Sequence, residues 1–149
     1  IISSVDFLPT FADLAGVELP GSQVFDGESL VPVLRENRYD PERAIYWHYP
    51  VFHHAVPASV VRKGDWKLVH NLVDDSKELY NLAEDIGENN DLSEVKPEKV
   101  NELSGLLKSW RDDTGAELPV PNPEFDPERR YTWGVHPDRE KIMRQSSPK

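Results

Sequence analysis

A chain of 149 residues with 17 basic and 27 acidic side chains carries a formal net charge of −10, 38% hydrophobic residues, 13 prolines and no cysteine. That balance excludes a nucleic-acid reader, which needs a basic footprint, and it disfavours anionic membranes; the missing cysteines exclude disulfides, Cys-ligated zinc and thiol catalysis within these residues. No apolar run approaches the roughly 20 residues that span a bilayer, and the apolar content supports one modest core, in a single domain or a subdomain with attached segments.

In chain order, the first element expected is a helix over residues 5–15. Asp6 is its N-cap, Pro9 is tolerated in the first turn, and Gly16 is the stop. Its apolar positions are Leu8, Phe11, Ala12 and Ala15. Residues 18–27 read as loop. A second short helix fits residues 29–36, with Leu30, Val33 and Leu34 on one side. The β-prone run Ile45-Tyr46-Trp47 predicts a strand over residues 43–49.

The hairpin ASVVRKGDWKLVHNL (residues 58–72) follows. Gly64-Asp65 makes a two-residue turn that needs positive φ at glycine, and this turn sets the register. Lys63 opposes Trp66, Arg62 opposes Lys67, Val61 opposes Leu68, and Val60 opposes Val69. Val61, Trp66, Leu68 and Leu72 share one face, Val60 and Val69 the other. Both faces are partly apolar, which predicts a sheet covered on both sides. Residues 77–82 add the next strand. Pro97 opens a last helix that Gly115 ends. Val100, Leu103, Leu106, Leu107 and Trp110 recur at spacings of three and four and form the stripe that lies on the sheet. The fold class is therefore α+β: a small antiparallel sheet of about four strands, a packed C-terminal helix, short N-terminal helices and an extended Pro-rich tail. From Pro119 onward six prolines fall in the last stretch, and Phe125, Tyr131 and Trp133 are its candidate anchors.

Three clusters could carry chemistry. The first is His48-Tyr49-Pro50-Val51-Phe52-His53-His54, three histidines on a Pro-bounded loop. Spacings of five and one, with no adjacent carboxylate, do not make a recognised ligand set, so no metal is assigned to them. The second is the pair Arg62 and Lys67, like charges set opposite each other, which calls for an anion nearby. Asp65, Asp74 and Glu78 are the candidate carboxylates, and an anionic substrate group is the alternative. The third is the acidic turn Asp85, Glu88, Asn89, Asn90, Asp91. It lacks the alternating order and distal Glu of an EF-hand and reads as a solvated turn.

The hairpin, the ELYNL strand, the DIGENNDL link (residues 85–92) and the terminal helix occur in that order, after SSVDFLPTFADLAGV (residues 3–17) and DGESLVPVL (residues 26–34). This arrangement resembles the C-terminal subdomain of the sulfatase family, within the alkaline phosphatase superfamily, over roughly residues 3–127. The family's nucleophile motif, a Cys or Ser followed by x-Pro-x-Arg, does not occur here. The resemblance thus implies the tail of a sulfuric ester hydrolase whose catalytic groups lie upstream. No catalytic residue or metal ligand is assigned in this chain, and calcium and formylglycine are expected in the preceding region. It implies three segments: residues 1–42 ending the catalytic α/β domain, residues 43–118 forming the subdomain, and residues 119–149 forming the tail. The subdomain packs on the upstream domain, and the partner is a sulfated small molecule or glycan, carbohydrate or aryl, with no nucleic acid and no membrane. The resemblance favours a periplasmic or extracellular location. It also places the histidine loop beside the active-site mouth, which makes His48, His53, His54 and Arg62 the expected substrate contacts. The rival readings are a stand-alone carbohydrate-binding module and a related phosphatase or phosphodiesterase.

Overall fold

The computed structural model describes residues 1–52, 56–124 and 126. A 3-10 turn (Ser4–Asp6) leads into α1 (Phe7–Ala15), α2 (Val31–Glu36) follows a loop, and four strands come next: β1 (Ala44–Tyr49), β2 (Ala58–Lys63), β3 (Trp66–Asn71) and β4 (Lys77–Asn81). The chain closes with α3 (Pro97–Thr114). The sheet is a plain antiparallel meander in the order β1-β2-β3-β4. Proline-rich residues beyond Asp126, with the expected anchors Tyr131 and Trp133, lie outside the described residues, as does Phe125.

The hairpin register is the one its turn chemistry predicts: Lys63 pairs with Trp66, Arg62 with Lys67, Val61 with Leu68 and Val60 with Val69. Gly64 takes φ +57, which an L side chain adopts only with strain. Because side chains alternate across a strand, one register row carries Tyr46, Val61, Leu68 and Leu79 on a single face. α3 lies on that face. Leu103 and Leu107 insert against Val61, Leu68 and Leu79, and all five are buried. Val100, Leu106, Trp110, Tyr46 and Trp66 pack around them. Tyr46 and Trp110 stack with centroids 5.0 Å apart and planes 4° off parallel. The helix stripe therefore binds the sheet through apolar area and one stacked ring pair.

The outer edge of β4 is not left open. The Asp91 carboxylate accepts the Leu79 backbone N–H at 2.9 Å, and the Leu92 N–H donates to the Leu79 carbonyl at 2.8 Å. The link after β4 thus occupies hydrogen-bonding groups that would otherwise invite another strand. Within this link Asp85 accepts the backbone N–H groups of Asn89 and Asn90. The acidic residues are turn formers, as their composition predicts.

Two expectations are corrected. Asp6 does precede α1, but its side chain makes no cap bond to that helix; it is engaged by Arg43 instead. Arg43 itself, expected as the first strand residue, precedes β1 and is drawn toward Asp6. Secondly, no described helix supplies the second cover of the sheet. α1 packs mainly on the turn before it and on α2, and Trp47, on the face away from α3, is 48% exposed. The apolar residues of α1 likewise point outward: Phe7, Leu8, Phe11 and Leu14 are all more than half exposed, whereas the buried member of the helix is Thr10. The polar side of α1 is its inner side because Asp6 and Thr10 hold the backbone there. The Thr10 hydroxyl donates to the Asp6 carbonyl and accepts the Leu30 N–H.

Candidate functional site

The four expected contact residues divide between the two faces of the sheet. His48 lies in one register row with Ser59 and His70, on the face that carries α3. Arg62 lies in the row Ile45, Arg62, Lys67, Tyr80 on the opposite face. His53 and His54 lie outside the described residues. The structure therefore brings His48 and Arg62 together in one sheet but not at one spot.

His48 is engaged within the chain at both ring nitrogens. Nε2 is 2.8 Å from the Glu117 carbonyl oxygen and Nδ1 is 2.7 Å from the Ser59 hydroxyl. A carbonyl only accepts, so Nε2 carries a hydrogen, and in the neutral ring Nδ1 accepts from Ser59. The ring also meets Trp110 edge-on, with centroids 6.5 Å apart. These contacts tie the segment that leaves α3 to the end of β1, two residues before Pro50.

Arg62 has a lighter set of contacts. Its Nε donates to the Gly64 carbonyl at 3.4 Å, and among the described residues no carboxylate pairs with it. Its cross-strand neighbour Lys67 is neutralised by Glu88, whose two carboxylate oxygens both lie 2.7 Å from Nζ. The partner anion is thus Glu88, from the acidic turn, and not Asp65, Asp74 or Glu78. Glu88 reaches it because the turn folds back over the sheet, with Glu88 itself at φ 55. Glu78 instead accepts from the Tyr80 hydroxyl at 2.8 Å, and burial together with that carboxylate raises the Tyr80 pKa.

Two arrangements depend on contacts that the sequence does not signal. One is a buried clasp at the base of the sheet. The Arg43 guanidinium forks onto the two carboxylate oxygens of Asp6, one contact measuring 3.0 Å, and Asp6 also accepts the N–H groups of Ser3 and Glu28. Asp6 is fully buried. The Arg43 hydrogen bonds, aided by the Ser3 and Glu28 N–H groups and opposed by burial, hold its carboxyl at about 2. Gly27 is part of this clasp, because a Cβ there would stand 2.0 Å from the Val5 carbonyl oxygen. The other is a polar relay at the far end of α3, in which Arg111 touches both Ser59 and His70.

Among the described residues no group of three His, Cys, Asp or Glu side chains is arranged to hold a metal ion. Among the described residues nothing is arranged to hold calcium, the sequence carries no Cys or Ser followed by x-Pro-x-Arg, and no catalytic step runs through either group here.

The sequence matches the family model described as N-sulphoglucosamine sulphohydrolase, C-terminal, over residues 1–112. It is 31% identical over 87% of its length to a sulfatase of Formosa agariphila, covering 28% of that protein. It is 38% identical over 76% of its length to an N-acetylglucosamine-6-O-sulfatase of Bacteroides thetaiotaomicron, covering 22% of it. Among solved structures, BT4656 in complex with its substrate D-glucosamine-2-N,6-O-disulfate superposes with a TM-score of 0.59 at 35% identity. That match covers 72% of this chain and 23% of the other. The chain thus spans about a quarter of the length of the relatives it matches.

Proposed function

Because the chain belongs to the family of N-sulphoglucosamine sulphohydrolase C-terminal domains, we propose that it is the C-terminal part of a longer enzyme that hydrolyses sulfate esters of carbohydrates. The single observation that carries this reading is the match across residues 1–112, the whole sheet and nearly all of α3, to proteins described as sulfatases. The carbohydrate class is supported by the amino-sugar sulfates named in two of the matches. Relatives described as sulfatases support sulfate over phosphate esters.

In this reading the nucleophile and the metal that stabilises sulfate charge belong to the preceding catalytic domain, and the present residues supply binding surface. Residues 1–42 complete that domain, residues 43–118 are the subdomain, and residues 119–149 are an extension from it. The outward apolar side of α1 (Phe7, Leu8, Phe11, Leu14) packs on the catalytic domain, since a patch of this kind is otherwise costly in water. The loop after β1 lies at the mouth of the active site. His53 and His54 are its substrate contacts, Arg62 offers a guanidinium to an anionic group, and His48 fixes the base of the loop through Ser59 and Glu117.

The test is sulfate release from 6-O-sulfated glucosamine by the full-length protein and by the 149-residue chain. The full-length protein is expected to turn over and the chain alone is not. Release by the chain above a heat-killed control overturns the division of labour. Cleavage of phosphate monoesters without cleavage of any sulfate ester overturns the activity. In the active protein, replacing His53, His54 or Arg62 by Ala removes a hydrogen bond to substrate for at least one of the three. The cost is about 1–3 kcal/mol, roughly five- to 150-fold in kcat/KM. If all three variants stay within twofold, the loop and Arg62 are structural.

A further inference from the structure

Arg111, in the last turn of α3, places its Nη1 3.1 Å from His70 Nδ1 and 3.3 Å from the Ser59 hydroxyl. Nη1 carries two hydrogens and accepts none, so it donates one to each neighbour. His70 Nδ1 must then be an acceptor. The ring's single hydrogen sits on Nε2, which is 2.5 Å from an Asp75 carboxylate oxygen. Ser59 is fully buried and accepts from Arg111, so its own hydrogen has one place to go, His48 Nδ1 at 2.7 Å. His48 must in turn donate from Nε2 to the Glu117 carbonyl. Every donor finds an acceptor in one direction only.

We infer that Arg111 is a positioning residue: with Nε2–H of both rings held by the Asp75 carboxylate and the Glu117 carbonyl, it engages the free acceptor Nδ1 of His70 directly and that of His48 through Ser59, and so latches the segment after α3 onto β1. The guanidinium suits this task because it remains charged and offers two hydrogens from one nitrogen at a fixed angle. The groups facing the relay come from five elements: His48 on β1, Ser59 on β2, His70 on β3 with Asp75 in the following turn, Lys77 on β4 beside Asp75, and Arg111 on α3. The relay's row is one register pair, Tyr49 with Ala58, from the strand ends that the loop after β1 joins, and a fixed His48 and Ser59 therefore hold those ends. This last consequence rests on the sulfatase reading given above. The tautomers do not.

The experiment labels the histidine side chains of the 149-residue chain with nitrogen-15 and records two-bond imidazole correlation spectra at pH 7.5. His48 and His70 are assigned by single Gln substitutions. Both are expected as neutral Nε2–H rings. Ser59→Ala is expected to shift the His48 Nδ1 resonance as its hydrogen bond is lost and to leave His70 unchanged, whereas Arg111→Met shifts the Nδ1 resonances of both rings, each keeping its hydrogen on Nε2. A wild-type ring with its hydrogen on Nδ1, or a His48 pattern unmoved by Ser59→Ala, overturns the relay. Both of these measurements stand even if Arg111→Met fails to fold. In the full-length protein, Arg111→Met is expected to raise KM for 6-O-sulfated glucosamine by about fivefold, the scale of one hydrogen bond, with kcat nearly unchanged. Shifted Nδ1 resonances in both rings with KM unaltered overturn the link to the loop. A full-length protein inactive on every sulfated sugar, with the wild-type and Ser59→Ala spectra as expected, sinks the sulfatase reading and leaves the relay standing.

Discussion

The Arg43 guanidinium lies on the Asp6 carboxylate with both oxygens engaged, joining residues 37 positions apart in the chain. Only 10% of the Arg43 side chain and none of the Asp6 side chain meets solvent. Asp6 holds the N-terminal turn and the Glu28 N–H at the same time, so this one pair gathers three segments at the foot of β1.

Removing one member of a buried pair leaves the other charge uncompensated, which costs about 3–5 kcal/mol. Arg43→Met and Asp6→Ala are therefore each expected to destabilise the chain by that amount, a large share of the 5–15 kcal/mol typical of a whole domain. Urea unfolding of both variants beside wild type measures it. A cost below about 1 kcal/mol for either would show that the clasp does not organise the fold.

The same pair predicts an acid-labile chain. The Asp6 carboxyl is held at about 2 in the folded state against an ordinary value of 3.8. A depressed carboxylate contributes its stability above the unfolded value and loses it as pH falls through the folded one. The contribution, about 2 kcal/mol on the linkage scale, is complete above about pH 5 and is lost progressively toward pH 2. Asp85, held low by the Asn90 and Asn89 N–H groups, adds to the same trend. Denaturant midpoints measured from pH 6 to pH 2 should fall for wild type, and Asp6→Asn should fall less. Parallel slopes in the two proteins would remove Asp6 as the cause.

Three glycines should respond in three different ways to alanine. Gly27→Ala forces a Cβ to within 2.0 Å of backbone at Val5 and is expected to prevent native folding. Gly64→Ala keeps its space but strains a residue at φ +57, for about 1 kcal/mol. Gly105, exposed in the middle of α3 with nothing near its Cβ position, should be stabilised by about 0.5–1 kcal/mol. Thermal melts of the three variants rank them, and any other order contradicts the backbone geometry described here.

Leucine and phenylalanine substitutions separate the core from the outward face of α1. Leu107→Ala empties space at the centre of the cluster and should cost 2–5 kcal/mol, on the scale of buried leucine truncations. Phe11 is 64% exposed, so Phe11→Ser should change the stability of this chain by less than about 0.5 kcal/mol. In a full-length protein the same change should be clearly destabilising, because the proposed interface covers that ring. An equal, small effect in both settings would argue against α1 as the docking face.

The sequence by itself determined the sheet and its helix. A Gly-Asp turn permits one register, and an apolar stripe at spacings of three and four permits one helix face. Val61, Leu68, Leu103 and Leu107 therefore meet without any long-range information beyond hydrophobic periodicity. Half of the relay was within the same reach, since the hairpin register already sets Ser59 opposite His70. Tertiary structure alone decided the rest. Periodicity reports burial of apolar side chains but carries no signal for which charge meets which, so nothing local links Asp6 to Arg43, Lys67 to Glu88, or Arg111 to the row of His48, Ser59 and His70. Those partners are chosen by where loops return and by the need of each buried donor for an acceptor, and both are properties of the folded chain.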